Sequence, residues 1–83
     1  MKILSFLFIA VVGTLAFGQD YKWKYANTLS TQYRYAEALP VWEEISQKAM
    51  TDGIRLTPSL RKTVEAAYQS ENYAKAVRWS QVL

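Results

Sequence analysis

The chain has 83 residues, ten of them basic and seven acidic, with no Cys and no His. That composition excludes disulfide staples, thiolate or imidazole metal sites and the common Cys- or His-based catalytic arrangements. The net charge of +3 is spread without a basic run, which argues against a nucleic-acid partner.

Met1 and Lys2 precede an apolar run from Ile3 to Val12, and Gly13 to Gly18 turn small. This reads as a secretory signal peptide over 1–18, cleaved after Gly18. A transmembrane anchor is the alternative, but a run of roughly 10 residues falls short of the roughly 20 a bilayer needs, so no membrane span is expected after cleavage. All three Phe residues lie in this segment, leaving only Trp and Tyr as aromatic mass in the mature 19–83. A domain that small buries about 60% of its unfolded surface and needs support from further repeats or a partner.

Asp20 can cap a first helix running to about Thr31, with Trp23, Ala26 and Ser30 on one side and Tyr25 and Leu29 on another. A polar break at Thr31 to Arg34 leads into a second helix. Its apolar positions Tyr35, Ala38, Leu39, Trp42, Ile45 and Ala49 step by three or four. Pro40 lies inside this pattern and predicts a kink, because its ring conflicts with the carbonyl of Ala36. Glu43 and Glu44 are adjacent carboxylates, but neighbours on a helix diverge by about 100°, so they read as solvated face residues and not as an acid and base pair. Thr51, Asp52 and Gly53 stop the helix, with Gly53 suited to a left-handed closing position. Thr57-Pro58 is expected to open a third helix with the buried stripe Leu60, Val64, Ala67 and Tyr68. Ser70-Glu71-Asn72 makes the next turn, and a fourth helix starts at Tyr73.

The phrase Tyr35-Ala36-Glu37-Ala38-Leu39 returns 38 residues later as Tyr73-Ala74-Lys75-Ala76-Val77, and the same offset pairs Ile45 with Leu83. One helical unit built twice is the signature of a repeat protein, whose product is a stacked binding surface. Tyr35, Ala38, Leu39, Trp42 and Ile45, with Tyr73, Ala76 and Val77, are therefore the expected helix-packing positions. The pattern runs to Leu83 with no Gly, Asn or Pro to close it, and the repeats are expected to continue beyond that point. Trp23 and Trp79 are the candidate partner-binding anchors, since interface hot spots favour Trp and Tyr. No catalytic set, cofactor site or metal site is expected.

The two hairpins resemble the tetratricopeptide repeat family. In that family the second helix of each unit opens with a large ring, carries a small residue three later and another ring four beyond that. Tyr35, Ala38 and Trp42 match, and so do Tyr73 and Ala76, whereas Ser80 takes the last place with Trp79 beside it. Tyr25-Ala26 and Leu29 fit the first helix, and the period of 38 in place of 34 implies an extended linker around Thr51 to Leu56. The resemblance implies an all-α fold of two tetratricopeptide-like helical hairpins, with a plain four-helix bundle as the alternative. A signal peptide followed by such units, with the phrase from Tyr35 to Glu44, is similar to the N-terminal region of Bacteroidota OmpA-family envelope proteins of the type IX secretion and gliding layout. That similarity implies a periplasmic or outer-membrane-associated scaffold that binds an envelope protein. Contact with peptidoglycan is implied only through domains absent from these residues. A carbohydrate-binding helical module of a glycan-uptake system is the alternative.

Overall fold

The computed structural model describes residues 20–83, and the expected signal peptide lies outside them. The described chain is all helical: α1 over residues 20–31, α2 Tyr35–Asp52, α3 Leu56–Gln69 and α4 Tyr73–Ser80, with no strand among the described residues. Short turns fold α1 onto α2 and α3 onto α4. α3 in turn packs on α2, so the helices form two hairpins side by side.

The turns show that the repeat is one of backbone and not only of sequence. At the first turn the Tyr33 N–H donates to the Ser30 carbonyl at 3.0 Å and the Arg34 N–H to the Leu29 carbonyl at 2.8 Å. At the second the Glu71 N–H donates to Tyr68 at 3.0 Å and the Asn72 N–H to Ala67 at 2.8 Å. Donors and acceptors alike are displaced by 38 residues. Tyr33 (φ 60°) and Glu71 (φ 65°) are the left-handed residues of these two helix closures, a place glycine usually takes.

The connection between the hairpins is stricter than its sequence indicates. Gly53 closes α2 at φ 75°, its N–H bonded to the Ala49 carbonyl at 2.7 Å, and Asp52 Oδ1 accepts the Ile54 N–H at 2.9 Å. Arg55 then takes a left-handed φ of 56° and α3 begins at Leu56. The expected start at Thr57-Pro58 is thus corrected: Pro58 is the third helical residue, still in the first turn, where its missing N–H needs no partner. α2 runs as one helix through Pro40, which faces solvent.

The core is built from Ala26, Leu29, Ala38, Leu39, Trp42, Ala66, Ala67 and Ala76, with Trp23, Tyr35, Val41 and Ile45 packed against it. Alanines bring the helix backbones close, and Trp42 fills the space between them. Two expected packing residues are corrected: Tyr73 is 55% and Val77 57% exposed. Their equivalents are less exposed, Leu39 being buried and Tyr35 half-buried against the core, whereas no helix among the described residues covers that face of α4. The expected α3 stripe is also rotated. Ser59, Leu60, Thr63, Ala66 and Ala67 are buried, Val64 is half-buried and Tyr68 is exposed.

Ser59 and Thr63 can face inward because a hydrogen-bonded seam absorbs them. Ser46 and Thr63 hydroxyls lie 2.7 Å apart, and Thr63 Oγ1 is 2.8 Å from the Ser59 carbonyl and 3.1 Å from the Trp42 carbonyl across the interface. The Trp42 indole N–H donates to Ser30 Oγ at 3.0 Å, and Ser30 donates to the Ala26 carbonyl at 2.9 Å. No buried side-chain polar atom among the described residues lacks a partner, so the seam avoids the roughly 1 to 3 kcal/mol that each unpaired group would cost.

Candidate interaction surface

Trp23 and Trp79, the expected anchors, are both occupied within the chain. Trp23 packs edge-on against Trp42 with ring centroids 4.9 Å apart, and the Arg55 guanidinium lies 5.3 Å from its ring. Trp79 is buried, and its indole N–H donates to Glu43 Oε2 at 3.0 Å. The two rings therefore serve different places, Trp23, partly buried, the inside of the first hairpin and Trp79, buried, the joint between hairpins.

Glu43 is the residue whose role the sequence hides. Its side chain is only 16% exposed, and besides Trp79 it takes the Lys75 ammonium on Oε1 at 2.8 Å. One carboxylate thus ties α2 to two successive turns of α4. Glu44, next in sequence, turns the other way to Lys22 on α1 at 2.6 Å, with both partners about half exposed. The two adjacent carboxylates hold opposite sides of α2 and share no site. Surface pairs Arg34 with Glu37 and Arg55 with Asp20 (3.7 Å) complete the ion pairs among the described residues.

Among the described residues, three surfaces with exposed tyrosines remain open. The first is a shallow depression of about 340 Å³ between the end of α1 and the middle of α3, lined by Asn27, Thr31, Tyr33, Tyr35, Lys62 and Glu65. Tyr33 is 82% exposed, held outward by its left-handed backbone and by an edge contact with Tyr35 at 6.3 Å. The sequence signal for it was a tyrosine placed in a polar turn, outside every helical stripe. The second is the outer face of α1, where Tyr21 is 71% and Tyr25 46% exposed. The third joins α3 to α4, where Tyr68 and Tyr73 stack edge to face at 5.7 Å next to Val77.

These surfaces combine aromatic rings with flanking charges, a mixture suited to protein recognition. No family model, no curated protein and no solved structure matches the chain. Among the described residues, no helix is long and apolar enough to cross a membrane.

Proposed function

We propose that this chain is an exported, tetratricopeptide-like scaffold that binds another protein of the cell envelope, in a bacterial layout similar to that of the OmpA-family proteins named above. The single observation that carries the binding role is the depression between α1 and α3, where an outward Tyr33 stands beside the amide of Asn27, the ammonium of Lys62 and the carboxylate of Glu65. A rigid ring ringed by donors and acceptors of both signs fits an extended or helical protein segment. The compartment rests on the N-terminal leader and on that resemblance, and no contact with the cell wall is assigned to these residues.

Cross-linking and capture from envelope fractions test the reading. A specific protein partner is expected, and Tyr33→Ala with Lys62→Ala should weaken its capture by about 1 kcal/mol or more without loss of helicity. Retention on a purified oligosaccharide, with no protein captured, would replace it by the carbohydrate-binding reading.

A further inference from the structure

A thiol, where a chain has one, is a side chain that oxidation reaches early, and this chain has none. Oxidising equivalents fall instead on its rings and thioethers, and six of those rings are phenols. Among the described residues two tyrosine pairs are in ring contact: Tyr33 with Tyr35, centroids 6.3 Å apart, and Tyr68 with Tyr73, 5.7 Å apart. Only the second pair is open at both rings. Tyr68 is 61% and Tyr73 55% exposed, whereas Tyr35 is half-buried and packed against the core cluster.

The backbone between Tyr68 and Tyr73 is held in one arrangement. The Ser70 N–H donates to the Ala66 carbonyl at 3.0 Å, the Glu71 N–H to the Tyr68 carbonyl at 3.0 Å and the Asn72 N–H to the Ala67 carbonyl at 2.8 Å. Asn72 Oδ1 accepts the Lys75 N–H at 3.3 Å and caps α4. The turn therefore keeps the two rings facing each other, and exposed side chains rotate fast enough to bring edge to edge what is resolved edge to face.

We propose that Tyr68 and Tyr73 form a site of oxidative cross-linking, at which a one-electron oxidant of the peroxidase class joins the two rings as dityrosine. Each phenol gives one electron to the oxidant and its proton to water, leaving two phenoxyl radicals. These couple at carbons ortho to the oxygens and form one carbon–carbon bond. The hydrogen on each joined carbon then moves to the oxygen of its own ring and restores the phenol. The chain loses two hydrogen atoms in all, and the two electrons and two protons reduce one hydrogen peroxide to two waters. Partners held side by side couple in preference to rings of separate molecules. The product is a covalent strap across the α3–α4 turn in a chain with no Cys to form a disulfide. The depression around Tyr33 and Lys62 takes no part, which leaves this inference independent of the partner-binding role above.

Dilute protein purified from its own cells and treated with a haem peroxidase and hydrogen peroxide tests the site. Dityrosine fluorescence should rise in the band that remains monomeric on a denaturing gel. Glu71 lies between the two tyrosines, so digestion of that band with a Glu-specific protease separates them unless a bond between the rings holds the fragments together. A joined fragment, two hydrogens lighter than the sum of its parts, is expected. Tyr68→Phe and Tyr73→Phe keep the rings and should keep helicity by circular dichroism, and each should abolish the joined fragment. Tyr25→Phe should leave its yield unchanged. The absence of a joined fragment from the monomer, its survival in Tyr68→Phe, or a cross-link mapped to Tyr33 and Tyr35 in its place overturns the proposal.

Discussion

Glu43 and Glu44 stand side by side in the sequence and do work of different value. Glu43 is mostly withdrawn from water and satisfies both an ammonium and the indole N–H of the buried Trp79. Removing it leaves that N–H without an acceptor, and Glu43→Ala should cost about 1 to 3 kcal/mol. Glu44 pairs with Lys22 at the surface, where the entropy of two long side chains offsets most of the Coulomb gain, and Glu44→Ala should stay within about 0.5 kcal/mol. Urea midpoints at constant slope separate the two, and equal costs would remove Glu43 from the joint. Ala38 is a second residue where size decides. It is fully buried in the core cluster, so Ala38→Leu should overpack the first hairpin at a cost of roughly 1 to 3 kcal/mol. Glu37→Leu, exposed next to it, should change stability by no more than about 0.5 kcal/mol. Ala38 was legible in the sequence because its role follows from local helical spacing. Glu43 was not, because its partners lie 32 and 36 residues away and only the stacking of α4 on α2 brings them to it.

At the scale of the elements, the two helix closures carry a cost that the chain retains. A side chain in the left-handed region costs about 1 to 2 kcal/mol, and glycine there loses about 0.5 to 1 kcal/mol through the entropy of its unfolded state. Glu71→Gly, at φ 65° and exposed, should therefore stabilise the chain by roughly 0.5 to 1 kcal/mol, which raises the melting temperature by a few degrees in a domain of this size. A fall in melting temperature would mean that the Glu71 side chain makes contacts worth more than its strain. The helices themselves followed from periodicity, and the turns at Thr31 to Arg34 and at Ser70 to Asn72 fell where polar breaks placed them. α3 is where reading by apolar residues failed. Its inward face is carried partly by Ser59 and Thr63, which hydrogen-bond across the seam, and a search for apolar stripes passes over buried hydroxyls that have found partners. The start of α3 was misplaced for a related reason: Thr57-Pro58 has the form of a helix opening, but the left-handed Arg55 had already turned the chain.

Residues 20–83 form two hairpins whose core cluster is mostly alanine, so each helix buries little apolar area and stability depends on what stacks against it. The open candidate surfaces were the least legible part of the sequence. Exposure of Tyr73 and Val77, when Tyr35 is half-buried and Leu39 buried, depends on what lies next to α4 and not on their own spacing.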